Sequence, residues 1–360
     1  MAIMAAPTYR YYTEDLLTGA QTGDDLPFYG VWCNRQLNQA GEFTATFRLG
    51  SNRHVDTDML AATIPGRTAV YIERNGTLIW GGIIWSRTYA AQATYVQLTG
   101  QTWESIFDHV VMENHFIMQY VDQSTIFANM INALQAQAGN NFGLTGMGSF
   151  GTSGVTRTVL VPGYEYHFAA DIVSQVVGVD GGLEYTIDPD KLVRVGYPYL
   201  GDQVNSDLAY DFPGTLANYW WPESATRGAT KVGVIGKGSG TTTMRSTAVD
   251  GNMLNAGWPA FWQVNSYPNI ADGDGISAKA RGDLDRLRMP YSRPTLELKS
   301  DIGEGFTGWA KLGNTLTAHF DDARFPNGFT STSRMLGWEL TTADSDSSEI
   351  VKFYIEGHED

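Results

Sequence analysis

The sequence predicts a mainly β protein with an α+β middle, and three observations lead there. The first hundred residues alternate at the two-residue period of strands. A block beginning at Trp103 changes to helical spacing, and from Thr295 the alternation returns. At 360 residues the chain exceeds one ordinary core, and roughly 100–200 residues per domain gives two to four domains.

The elements follow in order. Gly41–Leu49 alternates cleanly, with Phe43, Ala45, Phe47 and Leu49 on one face. Thr68–Arg74 and Thr77–Trp85 flank Asn75-Gly76, a strong hairpin signal because a type I′ turn needs φ > 0 at both central positions. Gly81-Gly82 inside the return strand predicts a bulge or a close backbone contact. Thr94–Thr99 adds another strand, and the whole reads as a meander closing into a small barrel or sandwich. Trp103, Ile106, Phe107, Val110 and Val111 then share one helical face, with Thr102 as the cap. A second helix over Ser124–Ala138 carries the stripe Ile126, Phe127, Met130, Ile131 and Leu134, ending at Gly139. A third is predicted over Phe168–Val177, and Asn140–Gly154 reads as a loop.

Leu183–Ile187 and Leu192–Val195 form a hairpin around Asp188-Pro189-Asp190, whereas Gly201–Pro222 shows little periodicity. Ala229–Ile235 is a strand, ended by the Gly-rich segment up to Gly240. A last helix over Ser277–Arg288 places Ile276, Ala280, Leu284 and Leu287 on its apolar face and its charges opposite. Ser277 caps it and Met289-Pro290 stops it. Strands at Thr295–Lys299, Thr315–Phe320, Met335–Leu340 and Ile350–Glu356 complete the chain.

Composition narrows the function. Apolar residues make up 42% and aromatics 12%, so the chain builds cores and is not globally disordered. Only 18% is charged, against about 25% for an average soluble domain. The remainder is Gly, Thr, Ser, Asn and Gln, which suits many turns and neutral surfaces held against other chains. Lys and Arg number 24 against 39 Asp and Glu, a net charge of −15. No run of basic residues offers the footprint that phosphate backbones require. No apolar stretch reaches about 18 residues, so no membrane helix is predicted. The opening MAIMAAPTYRYY lacks the parts of a signal peptide, and the single Cys33 allows neither an internal disulfide nor a cysteine zinc site. Folding in a reducing cytoplasm is expected.

Each motif with a chemical reading has a plainer structural one. Gly233–Gly240 follows a strand, as phosphate loops do, but Lys237 is followed by Gly238 and no helix opening comes next. An inter-strand loop is expected. Asp272, Asp274 and Asp283 touch the spacing of a calcium loop, but Ser277 stands where its sharp turn needs Gly. Arg281-Gly282-Asp283 matches an adhesion tripeptide but falls within a predicted helix. His109, Glu113 and His115 cluster without a HExxH pattern. Cys33 has no partner signature, and no Gly-x-Ser-x-Gly elbow occurs. Trp220-Trp221 and Trp258 with Trp262 suit sugar-stacking platforms or, more commonly, core and subunit interfaces. No catalytic, cofactor-binding or metal residue is assigned, and no cofactor is expected.

Two segments carry a resemblance. The first is Leu37–Leu49, then Ile64-Pro-Gly-Arg … Arg-Asn-Gly … Trp80-Gly-Gly … Trp85, followed by Val96-Gln-Leu-Thr-Gly-Gln-Thr-Trp103 and a helix. It resembles the opening domain of tail hub proteins of long-tailed (siphovirus) bacteriophages, and is similar to minor tail proteins of phages infecting Actinobacteria. The second segment comprises Ala229–Gly240, the last helix, Pro294–Lys299 and Gly313–Leu316, and resembles the later half of the same family. Together they cover most of the chain, with 111–222 the weaker part.

The resemblance implies a fold similar to the hub protein of contractile tails. Two related small β-barrels are joined by α+β domains, the second barrel discontinuous, with a strand before the Gly-rich loop pairing with C-terminal strands. Mapped here, the parts are 1–110 for the N-terminal barrel and 111–200 for an α+β domain. The second barrel takes 201–240 plus 291–360, and 241–290 is an inserted domain ending in a helix. The implied protein is a non-enzymatic structural component of the virion tail tip, assembled in the host bacterial cytoplasm. It would form a homotrimer whose six barrels make a ring between the tail tube and the fibre or spike. Its implied neighbours are the distal tail ring, the tape measure and the tip fibre or spike. DNA would pass through the lumen at genome ejection without specific binding, repelled by carboxylates, and no stable membrane insertion is expected. The alternative is a tail-associated glycan-binding or glycan-hydrolysing protein, which a deep cleft with paired carboxylates would favour. A secreted β-rich adhesin is disfavoured by the opening residues, and the chain's end after its last strand leaves little room for a lytic or fibre extension.

Overall fold

In the computed structural model the described residues are 7–49, 57–90, 94–201, 208–288, 293–299, 311–343 and 348–357. The predicted strand at 41–49 forms over Glu42–Arg48, with Phe43, Ala45 and Phe47 buried. The hairpin turn places Asn75 at φ +50° and Gly76 at +76° between Thr68–Arg74 and Thr77–Tyr89. The glycine pair marks a close contact, since a Cβ on Gly81 would lie 2.5 Å from the Pro189 carbonyl oxygen.

Thirteen strands form one hydrogen-bonded sheet. Its path begins with Leu216–Trp220, Thr295–Leu298, Ile350–Ile355 and Phe329–Thr341. It crosses to Tyr29–Gln36 and continues through Glu42–Arg48, Tyr95–Thr102, Thr77–Tyr89, Thr68–Arg74, Tyr9–Asp15 and Gln21–Gly23. Ala209–Phe212 lies parallel to Thr315–Phe320, which pairs with Phe329–Thr341. The N-terminal and C-terminal strand groups therefore join edge to edge where Leu340 pairs with Cys33. They also share one hydrophobic core, from Val31 and Phe47 to Trp338 and Phe353.

The middle differs from expectation in two places. The helical face at Trp103 is short: a 3-10 turn over Trp103–Ser105 runs into Ile106–His109, and Val110 leaves in an extended conformation. The consecutive β-branched residues Val110 and Val111 favour that exit, and Val111 bridges to Phe168. The Thr102 hydroxyl accepts from the Gly41 N–H at 2.8 Å instead of capping. Phe116–Asp122 and Thr156–Val161 form an antiparallel pair that periodicity did not show, because the register shifts between Met118 and Val121. The helix Gln123–Gln135 forms as predicted, with Ile126, Phe127, Met130, Ile131 and Leu134 fully buried, and the Asp122 carboxylate accepts from the Ser124 N–H at 2.9 Å. Ala169–Val176 packs beside it, and Glu184–Ile187 pairs with Val193–Gly196.

Lys231–Ile235 pairs with Arg245–Val249 and Trp262–Ser266 rather than with C-terminal strands. Val232 and Val234 point onto Ile276, Ala280 and Leu284 of the last helix, which builds a separate small core. The strands before the Gly-rich loop that reach the C-terminal group are Ala209–Phe212 and Leu216–Trp220, within a segment too irregular to show alternation. The last helix runs from Gly273 to Leu287 and is capped by Asp272, which accepts from the Gly275 N–H at 2.7 Å. Ser277 lies within it and donates to the Gly273 carbonyl. The stop at Met289-Pro290 lies outside the described residues.

Candidate functional site

The hairpin Glu184–Gly196 is the piece that every neighbour grips. Arg35, fully buried in the N-terminal strand group, donates through Nη2 to Thr186 Oγ1 and the Ile187 carbonyl, each at 3.0 Å, and pairs with Asp188 at 3.3 Å. Glu104 accepts the Ile187 N–H at 2.8 Å. Asn38 exchanges two hydrogen bonds with the Tyr185 backbone. From the C-terminal group Arg334 pairs with Glu184, which also accepts the Leu200 N–H at 2.7 Å.

Beside this joint lies a cleft of about 460 Å³, lined from the N-terminal group by Gln36–Ala40, from the middle by Glu104, Asp108 and Ser174, and across it by Lys279, Arg293 and Arg334. Burial holds the Glu104 and Asp108 carboxyls above the usual range, the former partly offset by Arg35 and the latter by His109. A hydrolytic pair needs two carboxyls open to substrate. Glu104 is closed to solvent and spent on the backbone, and Glu184 and Glu356 share Arg334. The arrangement binds chain segments together.

The cleft's far wall is the last helix, and here the expected charged outer face fails. Lys279 and Asp283 are both buried. Lys279 donates to the Gly178 carbonyl at 3.2 Å and lies 4.8 Å over the Tyr267 ring. Asp283 accepts from Asn265 at 2.7 Å and Tyr267 at 2.8 Å and pairs with Lys279 and Arg286. Burial, reinforced by Arg286 and opposed by Asp283, brings Lys279 down to about 8. Between that value and the ordinary lysine range the unfolded chain holds a proton that the folded chain has released. Stability is therefore expected to rise with pH in that window, by at most about 1.4 kcal/mol per unit. Urea unfolding at about pH 7.5 and about pH 9.5 checks this; Lys279→Met should reduce the rise, leaving the share of Lys191, which burial also lowers.

The other sequence candidates fall apart into structural roles. Lys237 pairs with Glu165 at 3.1 Å, and the Gly-rich loop runs into a 3-10 turn at Gly240–Thr242, which offers no helix N-terminus to a phosphate. Asp272 caps the last helix while Asp283 sits eleven residues on, about three helical turns away. Arg281-Gly282-Asp283 is helical, as expected. His109 stacks on Trp85 with ring centroids 4.0 Å apart, and His115 accepts the Gly163 N–H at 3.4 Å, so the two face different elements. No group of three or more metal-ligating side chains occurs among the described residues. Cys33 is fully buried, which pushes its thiol up and away from nucleophilic use. Trp221 packs edge-on against Phe320, Phe325 and Phe329, whereas Trp220, Trp258 and Trp262 are exposed.

Sequence reasoning missed two exposed surfaces. One lies on the pair 116–161 and the turn after it, where Ile117 and Leu160 face each other across the strands and Tyr120, Tyr164 and Tyr166 stand in solvent. The other is the outer face of the three-stranded sheet, with Trp262, Val264, Val249 and Ile235. A run of Tyr-x-Tyr beside a bulge, and Trp and Val two apart on a short strand, were the only signals available.

This architecture recurs along the whole chain in solved structures. A tail protein from Neisseria meningitidis superposes with a TM-score of 0.60 at 11% identity, covering 96% of both chains. The chain has the fold of phage tail proteins. The 43 kDa tail protein of prophage MuSo2 from Shewanella oneidensis gives 0.59 at 9% identity, over 96% of this chain and 97% of that one. A prophage tail protein from Listeria monocytogenes gives 0.51 at 9%, over 96% and 94%. No protein-family model matches the sequence, and no curated protein matches it at a significant level. The likeness thus lives in topology and core pattern, at an identity where individual side chains have diverged.

Proposed function

We propose that this chain is a structural protein of a phage virion, the hub of the distal tail tip. The observation that supports it is the tail-protein fold, matched end to end over 96% of this chain. In this reading the two strand groups serve as two related barrels, with 111–200 between them and an inserted unit that takes in the strand Lys231–Ile235 as well as 241–290, and three chains form a pseudo-sixfold ring. The ring joins the tail tube to the fibre or spike and meets the distal tail ring and the tape measure. Closed rotational symmetry makes each contact equivalent and finite. The net charge of −15 gives the lumen a use: carboxylates facing a channel repel passing phosphates.

Negative-stain microscopy and light scattering of the purified chain test the reading. Threefold rings with a central hole and three times the 39.5 kDa chain mass are expected. A compact monomer that binds host glycans would sink it in favour of the glycan-binding alternative.

A further inference from the structure

We propose that the side chains of Lys279 and Asn265 join in a covalent isopeptide bond, with Asp283 carrying the proton, and so tie the last helix to the edge strand of the small sheet. The inference is independent of the ring reading.

The helix Gly273–Leu287 and the strand Trp262–Ser266 meet at one buried carboxylate. The Asp283 side chain is 1% exposed, and its two oxygens face different partners. Oδ2 accepts from the Asn265 carboxamide Nδ2 at 2.7 Å and from the Tyr267 hydroxyl at 2.8 Å. Oδ1 lies 3.7 Å from Lys279 Nζ and pairs with Arg286. One carboxylate therefore bridges an amine and a carboxamide. At the other end of that carboxamide, Gln263 Nε2 donates to Asn265 Oδ1 at 3.1 Å. Local structure explains the assembly. Lys279 and Asp283 stand four apart on a helix and share a face. Gln263 and Asn265 stand two apart on a strand, in register with Val232 and Val234, which pack toward the helix.

A lysine attacks a carboxamide only as the neutral amine, in a place where water does not compete. The Lys279 side chain is 5% exposed, and burial, with Arg286, brings its amine down to about 8 against the pull of Asp283. The neutral amine has one N–H for the Gly178 carbonyl, 3.2 Å away, and one for Asp283, which leaves its lone pair free. Nζ attacks Asn265 Cγ, and the Gln263 amide stabilises the charge that develops on Oδ1. Asp283 takes the proton that Nζ sheds and delivers it to Nδ2. The Cγ–Nδ2 bond breaks, ammonia leaves, and an amide between Nζ and Cγ remains. No oxidant, metal or second reactant enters. A plain ion pair would need neither the bridged carboxamide nor a donor on its carbonyl. The product secures a strand that its own sheet holds along one edge only. The titration of Lys279 argued above belongs to the chain before this bond forms.

The test follows the intact mass of the purified full chain. Wild type is expected to fall below its sequence mass by one ammonia. Digestion of the denatured chain before aspartate separates Asp250–Ala271 from Asp274–Gly282 unless they are bonded, and the bonded pair is expected. Asn265→Ala and Lys279→Arg should each keep the full mass, with circular dichroism checking the fold. Gln263→Ala leaves nucleophile and proton carrier in place and should slow the mass loss at least about tenfold. A wild type that keeps its full mass overturns the inference, and a Gln263→Ala chain that reacts at the wild-type rate overturns the step as written. Loss of one ammonia with the two peptides separate assigns the loss to a succinimide elsewhere, as at Asn75-Gly76, and overturns the inference too. None of these results bears on the tail-protein reading.

Discussion

Glu349→Ala is expected to cost about 3–5 kcal/mol of stability, measured by guanidinium unfolding of the full chain. The Glu349 and Arg74 side chains are 2% and 6% exposed, and they meet through two parallel hydrogen bonds of 2.8 and 2.9 Å. The Tyr9 hydroxyl donates to the same carboxylate. The pair joins the end of the strand Thr68–Arg74 to the entry of the last strand, across 275 residues of sequence. Exposed ion pairs contribute little, but removing the carboxylate of a buried pair takes two short charge-assisted hydrogen bonds from a guanidinium already withdrawn from water. Those lost bonds to a buried cation are the source of the effect. Replacing both groups, Arg74→Met with Glu349→Leu, should therefore recover most of the loss, since well-packed apolar residues often equal a buried ion pair. If Glu349→Ala costs under about 1 kcal/mol, water reaches the guanidinium and the seam between the strand groups is looser than its geometry implies.

Such a seam shows what was legible in the sequence and what was not. Local patterns read through: the alternation at Phe43–Phe47, the Asn75-Gly76 turn, and the stripe from Ile126 to Leu134 all stand where periodicity placed them. Each depends only on neighbours a few residues away. The pairing of Leu340 with Cys33, and of Glu349 with Arg74, is set by partners roughly 300 residues distant, and no local pattern encodes it. Short or bulged strands also escaped. Ala209–Phe212 is a four-residue strand set among the turn residues of 201–222, and the shift at Met118–Val121 breaks the alternation of its strand. The last helix was legible in its end and apolar face, but not in its start, four residues before Ser277, or in its inner polar row. Asp283 lies at i+7 from Ile276, beside the apolar stripe, and is taken up by Asn265 and Tyr267, whereas Lys279 flanks the stripe where residues 178–182 cover the helix.

That cover leads to the second large effect. Gly282→Ala is expected to lower stability by about 1–3 kcal/mol, although alanine is the better helix former by about 1 kcal/mol. A Cβ on Gly282 would lie 2.7 Å from Val179 Cα and 2.8 Å from the Gly178 carbonyl oxygen. Both obstacles are backbone, so no side chain can swing aside. The neighbouring contacts all depend on this approach: the Asp180 N–H donates to the Ala278 carbonyl at 2.9 Å, Lys279 donates to the Gly178 carbonyl, and Arg281 pairs with Asp180. The tripeptide that looked like an adhesion motif is thus a docking device, with Arg281 as clamp, Gly282 as the gap and Asp283 as the buried polar anchor. Gly273→Ala, at the start of the same helix, is the control, because a Cβ there meets nothing within 4 Å. Hydrogen exchange should quicken at 178–182 and along the helix in Gly282→Ala and stay unchanged in the control. If Gly282→Ala instead stabilises the chain as an exposed helix glycine would, the close approach is not formed in solution.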